Sequence, residues 1–143
     1  MDQDKINELI RVSQEAKEKA YCPYSKFRVG CALITEDGSV FTGCNVENVS
    51  YGLSICAERT AIVKAISEGH HNIKALAISS DMKNQFITPC GMCRQFIFEF
   101  GKHISIYQTK PDMSYEMETS SQLLWKGFGP SDLASERISQ NGS

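Results

Sequence analysis

The stretch TPCGMCRQF, Thr88 to Phe96, sets Cys90 and Cys93 at C-x-x-C spacing. Such a pair is a redox dithiol, a disulfide staple, or half of a zinc site whose other ligands come from elsewhere in the chain. The third alternative constrains the fold most. Zinc takes four ligands and a catalytic site leaves one position to water, so the pair needs one further soft donor. Cys56, upstream in the segment CAER, is the candidate, and it also stands at the start of a helical pattern. If the two helices lie side by side on one face of a sheet, their N-termini converge and three sulfurs meet. Helix N-termini favour anions, which lowers thiol pKa values before any metal arrives.

The rest of the chain supplies such a layout. Ile6, Leu9, Ile10, Ala16 and Ala20 recur at near-helical spacing until Pro23, predicting an amphipathic surface helix. Phe27, Val29, Cys31 and Leu33 alternate, Asp37-Gly38 is a tight-turn dipeptide, and Val40-Phe41 resumes the pattern, which predicts a β-hairpin with a central first strand. Ser54 reads as the N-cap of a helix through ICAERTAIVKAISE, with Gly69 as its C′ residue. IKALAISS is a short buried strand. Thr88 caps the next helix, with Pro89 at its first position and Gly101 at its end. HISIYQT is a strand, and Pro111-Asp112 turns the chain into YEMET; that connection is too short for a crossover helix, so the last two strands pair antiparallel. A short element follows at Leu123 and Leu124, and the lone Trp125 reads as a packing residue. The expected fold class is α/β: three layers, a mixed five-stranded sheet, helices on both faces. Residues 1–133 form one domain in this reading, and 134–143 a polar, mobile tail.

Composition excludes some functions. At 143 residues and 41% hydrophobic, the chain suffices for one sizeable core. Its 15 Lys and Arg against 17 Asp and Glu leave no broad basic surface for nucleic acid, so a small, near-neutral substrate fits better. No long apolar run suggests a membrane partner, and the charged, helical first twenty residues do not read as a signal sequence; a cytoplasmic protein is expected. In a reducing compartment, six cysteines point to metal, catalysis or packing. Cys22, Cys31 and Cys44 read as small apolar residues, and His70, His71 and His103 as solvated.

Glu58 lies two residues after Cys56. In a first helical turn that offset sets a carboxylate beside the open position of a metal without making it a ligand. Hydrolytic chemistry needs this pairing: a water whose pKa the metal lowers, and an acid to shuttle its proton. C-A-E followed by P-C-x-x-C is the signature of zinc deaminases in their three-cysteine form. Arg59 bears on the charge of the site. Three thiolates and one Zn²⁺ leave an excess negative charge, which a guanidinium donating to the sulfurs would offset.

Along nearly its whole length, from AYCPYSKFRVG through GCNVENVSYG, CAERTAI, SSD and PCGMCRQ to FGPSDL, the chain resembles the small homotetrameric cytidine deaminases. The resemblance implies their three-layer fold and the hydrolytic deamination of cytidine and deoxycytidine to uridine and deoxyuridine plus ammonia, for pyrimidine salvage. It implies one zinc per subunit on Cys56, Cys90 and Cys93, with Glu58 as catalytic proton shuttle. Asn45 and Glu47 match residues that hold the sugar hydroxyls; Phe27, Ala57 and Phe128 match residues near base and sugar; Tyr51 matches a tyrosine given by a neighbouring subunit to a shared active site. The chain departs from the family pattern at Arg28 and Trp125, where members commonly carry proline. Deaminases of other aminated pyrimidines share the zinc motifs, but NVEN and FGP favour ribose recognition. Polynucleotide deaminases usually insert a helix where this chain has only the turn at Pro111. A structural zinc module or a dithiol redox protein is the alternative from a different class.

Overall fold

A computed structural model describes residues 1–139, so the expected tail is outside the described residues from 140 onward. Helix α1 (Gln3–Lys17) is capped by Asp2, whose carboxylate accepts from the Lys5 amide at 2.9 Å. It ends short of the expected Ala20. Tyr21 is drawn instead into a bridge with Val46, its amide donating to the Asn45 carbonyl at 2.9 Å. The predicted hairpin is β1 (Val29–Thr35) and β2 (Val40–Cys44), paired antiparallel around the Asp37-Gly38 turn. Then come α2 (Ala57–Ser67), β3 (Ile73–Ser80), α3 (Gly91–Phe98), β4 (Ser105–Thr109), β5 (Tyr115–Thr119), and the single turns α4 (Ser120–Leu123) and α5 (Pro130–Leu133).

The sheet order is β2-β1-β3-β4-β5. Only β3 and β4 run parallel, joined across α3, and β4–β5 is antiparallel as the short Pro111 turn required. β3 is central and buried along nearly its whole length, which is why its sequence is a continuous apolar run rather than an alternation.

Helices cover both faces. On one, Ile6, Leu9 and Ile10 of α1 pack with Ala32, Ala75, Ala77 and Tyr107. On the other, Ala57, Ala61, Ile62 and Ala65 of α2 and Ile97 of α3 pack with Cys31, Leu33, Leu76, Ile78 and Ile106. Alternate residues of β1 serve the two clusters, as the pleat dictates. Each fully buried Leu or Ile here contributes about 1.5–3 kcal/mol of transfer free energy. Two glycines matter for α2. A Cβ on Gly43 would meet the Ala57 carbonyl and the Ala61 amide at 2.5 Å each, so its hydrogen lets the first turn of α2 lie directly on β2. At the other end Gly69, with φ +91°, closes the helix: its amide donates to Ile66, and that of His70 to Ala65.

Three local expectations need correction. Ser54 and Thr88 are not the caps; Cys56 and Cys90 are, and neither sulfur makes a capping hydrogen bond to a backbone amide of its helix. Ser54 is held out of α2 because Ile55 pairs with Val46 through two backbone hydrogen bonds, while its hydroxyl accepts from the Asn48 amide. Thr88 Oγ1 accepts from Arg94 Nη2 at 2.8 Å instead of capping α3. Trp125 is not a packing residue: it is 80% exposed, beneath the ammonium of Lys126 at 4.8 Å, where Lys126 takes a left-handed φ of 55° just beyond α4.

Candidate active site

Helices α2 and α3 lie on the same face of the sheet, and their N-termini meet. The Sγ atoms of Cys56, Cys90 and Cys93 all lie within 4.8 Å of one another; Cys56 to Cys90 is 4.0 Å and Cys90 to Cys93 is 3.5 Å. Tetrahedral zinc with Zn–S bonds of about 2.3 Å spaces its sulfurs about 3.8 Å apart. The observed separations bracket that value. Among the described residues the cluster has these three donors, so a zinc ion here would keep a fourth position open. The donor set therefore fits a catalytic zinc better than a structural one, which would want a fourth protein ligand.

Each residue reaches the site for a local reason. Cys56 and Cys90 are N-caps, and Cys93 is the third residue of α3, one turn from Cys90. The free amides of both helix ends surround the sulfurs with positive potential. The Cys56 thiol is lowered to about 5, first by its hydrogen bond with Cys93 and then by Arg59, against the opposing effect of burial. Cys93 is pushed up, mainly because it is the partner that keeps the proton shared with Cys56. Arg59 Nη2 stands 3.6 Å from Cys56 Sγ and 3.5 Å from the Ser54 carbonyl. Arg59 Nε is buried without a hydrogen-bond partner among the described residues.

Glu58 is 4% exposed in the first turn of α2. Burial raises its carboxyl to about 7, and the neighbouring Cys56 thiolate pushes in the same direction. A carboxyl poised near neutrality both accepts and returns a proton at little cost.

A cavity of about 280 Å³ opens on this cluster, near the small end of the ligand-pocket range of roughly 300–1,000 Å³. Of the residues singled out in the sequence, Phe27, Asn45, Glu47, Cys56, Ala57, Glu58 and Cys90 line it. The sequence reading assigned no site role to Ser25, Val29, Ser54, Ile55, Ile87 and Thr88, which also line it. Ser25 and Val29 flank Phe27, and Thr88 precedes the Pro-Cys pair, so proximity to named residues was the available signal. Asn45 stitches two segments together: Nδ2 donates to the Phe27 carbonyl at 2.8 Å and Oδ1 accepts from the Val29 amide at 3.0 Å.

Two residues are not brought to this cavity by their own chain. Tyr51 is 75% exposed and lines an adjoining cleft with Tyr24, its ring 5.8 Å from that of Tyr24. Phe128 is 60% exposed and borders a separate groove with Gln95, Glu99 and Leu133. Arg28 makes a bidentate pair with Asp81 and reaches Glu18, and its amide donates to Asp81, a bond that a proline there could not make. The histidine expected to be solvated at position 70 is half-buried, with Nδ1 3.2 Å from the Asp37 carboxylate and its ring tilted against that of Phe41, centroids 5.1 Å apart.

Comparison with known proteins places this geometry. Residues 3–109 match the family described as the cytidine and deoxycytidylate deaminase zinc-binding region. A probable cytidine deaminase of Dictyostelium discoideum is 49% identical over 133 residues, covering 93% of this chain and 90% of that protein. A cytidine deaminase of Sporosarcina psychrophila is 45% identical over 130 residues, covering 90% and 95% respectively. Among solved structures, the cytidine deaminase of Burkholderia pseudomallei superposes with a TM-score of 0.83 at 41% identity, over 90% of this chain and all of that one. The cytidine deaminase of Mycobacterium tuberculosis gives a TM-score of 0.74 at 37% identity, over 90% of this chain and 98% of that one.

Proposed function

From the premise that this chain belongs to the cytidine and deoxycytidylate deaminase family, we propose that it hydrolyses cytidine and deoxycytidine to uridine and deoxyuridine, releasing ammonia, in pyrimidine salvage. The observation that carries this is the convergence of three cysteine sulfurs and one buried carboxyl on two helix tips, at the floor of a nucleoside-sized cavity.

Zinc held by Cys56, Cys90 and Cys93 supplies a Lewis acid that makes water a nucleophile at neutral pH. The remaining work belongs to side chains. Glu58 takes a proton from the attacking water and delivers it to N3 of the pyrimidine as the C4–O bond forms. It then takes the proton of the new C4 hydroxyl and passes it to the amino group, which leaves as ammonia as the C4–N bond breaks. Burial of Glu58, which raises the carboxyl above the ordinary range, favours taking up a proton as well as returning it. Arg59 offsets the negative charge that three thiolates impose, keeping the water acidic. Phe27 and Ala57 flank the base, and Asn45 and Glu47 hold the sugar.

A nucleoside fits better than a nucleotide. The charged residues lining the cavity, Glu47 and Glu58, are both acidic, and no lysine or arginine among the described residues lines it to receive a phosphate. We assign Tyr51 and Phe128 to the site of a neighbouring subunit in a homotetramer; their exposure away from their own cavity supports this. No helix among the described residues is long and apolar enough to cross a membrane, and six unpaired cysteines suit a cytoplasmic location. Residues 1–133 act as one catalytic domain in this account.

The test is direct. Zinc content is measured, and the loss of cytidine absorbance is followed with native protein and with Glu58→Gln. Retained zinc with abolished turnover supports the mechanism; a Gln variant as active as the native chain refutes it.

A further inference from the structure

We propose that Ser25 is a positioning residue for sugar recognition, its hydroxyl fixing the rotation of the Glu47 carboxylate against the nucleoside; this rests on the functional reading above. Ser25 lines both the main cavity and the adjoining cleft, and Glu47 lines the same two spaces. The carboxylate is not free. Its Oε1 accepts from the amides of Tyr24 and Ser25, at 3.1 Å each. Its Oε2 accepts from the Ser25 hydroxyl. That hydroxyl in turn accepts from the Phe27 amide at 3.1 Å.

The hydrogen bonds can be counted. An ionised carboxylate offers about four acceptor sites and no donor. Two amides fill Oε1 and the Ser25 hydroxyl takes one site on Oε2, so the remaining site is on Oε2, in a direction that Ser25 sets. A serine hydroxyl has one hydrogen. That hydrogen goes to Glu47, while the Phe27 amide donates to one of the two lone pairs of Ser25 Oγ and fixes the orientation of the hydroxyl. The same contacts hold Glu47 below its ordinary pKa, with the Ser25 hydroxyl as the largest cause, and so keep it an acceptor.

Asn45 completes the arrangement. One lone pair of its Oδ1 is engaged by the Val29 amide, and one Nδ2 hydrogen by the Phe27 carbonyl, leaving one donor hydrogen and one acceptor lone pair. The cavity wall therefore offers an acceptor on Glu47 and a donor on Asn45 side by side. A sugar hydroxyl, which donates and accepts, matches that pair. An analogue lacking the hydroxyls would leave both groups unpaired. Removing the Ser25 hydroxyl frees Oε2 to rotate, so the loss falls on hydroxyl-bearing ligands.

The experiment compares native protein, Ser25→Ala and Ser25→Thr. It reads KM and kcat for cytidine, the inhibition constant of 2′,3′-dideoxycytidine, and zinc content. Ser25→Ala is expected to raise KM for cytidine about tenfold, the effect of losing one charge-assisted positioning bond. Its kcat, its zinc and the dideoxy inhibition constant should stay within about twofold of native, and Ser25→Thr, which keeps the hydroxyl, should recover most of the loss. Equal weakening of both ligands would mean that Ser25 merely holds the loop, and would overturn the proposal, as would an unchanged KM. If the native protein does not deaminate cytidine, the functional reading itself falls. If it deaminates cytidine but binds the dideoxy analogue equally well, the sugar role of Glu47 and Asn45 falls, and the Ser25 proposal with it.

Discussion

The two faces of the sheet are built from the same strands but used differently. Against α1 the strands present small residues, Ala32, Ala75 and Ala77, and bury a pair of hydroxyls, Ser13 and Ser79, 2.5 Å apart. Among the described residues no buried side-chain polar atom there lacks a partner, and the groove of about 440 Å³ between α1 and the hairpin, lined by Lys5, Glu8, Leu9, Val12, Ile34 and Val40, has no cysteine cluster and no buried carboxyl. Against α2 and α3 the strands present Leu33, Leu76, Ile78 and Ile106, and the helix ends carry three clustered thiols, an orphaned guanidinium nitrogen and a buried carboxyl. One face holds the fold; the other gathers weakly bonded thiols and a buried carboxyl at one spot, where a metal and a substrate can engage them. Weakly bonded groups beside a cavity are the mark of chemistry here.

Substitutions on each face should separate these roles. Cys90→Ala is expected to reduce deaminase activity to background and to strip zinc, while far-ultraviolet circular dichroism still reports a folded chain; retained stoichiometric zinc would break the comparison. On the α1 face, Ile10→Ala removes a fully buried side chain and should cost about 2–5 kcal/mol in urea unfolding, with activity per folded molecule unchanged. A large kcat loss with little destabilisation would show that α1 takes part in the chemistry.

The pH dependence of the metal-free protein sharpens the contrast. Glu58 has a folded pKa of about 7 against an ordinary 4.5, so the folded state binds more protons than the unfolded one between those values. Its contribution to stability is therefore lost as pH rises through about 7, by up to about 3 kcal/mol. Metal-free Glu58→Gln should lack this loss and should outlast the native chain in urea at pH 8, with the difference vanishing below pH 4.5. The opposite order at pH 8 would contradict the assigned burial.

The smallest effect belongs where the faces meet. Asp81 is held at about 2, chiefly by its hydrogen bond with Arg28 and secondarily by Lys17. Its stabilisation is present above the ordinary 3.8 and is lost as pH falls through about 2. Asp81→Asn should cost about 1 kcal/mol or less at pH 7 and leave zinc binding alone, which thermal melts and metal analysis would check.

Much of this was legible in the sequence because it rests on periodicity and on side chains whose chemistry is rare. IKALAISS coincides with β3, the short Pro111 turn forced an antiparallel ending, and the Cys56, Cys90 and Cys93 spacing demanded two adjacent helix tips. What was misread depended on competition between local options. Ser54 and Thr88 have good capping side chains, but tertiary pairing of Ile55 with Val46, and the grip of Arg94 on Thr88, assigned them elsewhere. Trp125 looked like core on composition alone, whereas the four-residue α4 turns it outward. Ser25 was invisible because its role exists only through Glu47, which lies on another segment.

The central claim is a zinc ion held by three sulfurs with one position left for water. X-ray absorption at the zinc edge of the purified protein measures this directly. The account predicts three sulfur neighbours at about 2.3 Å and one lighter neighbour at about 2.0 Å. Four sulfur or nitrogen ligands from the protein, or a protein that binds no zinc, would contradict it.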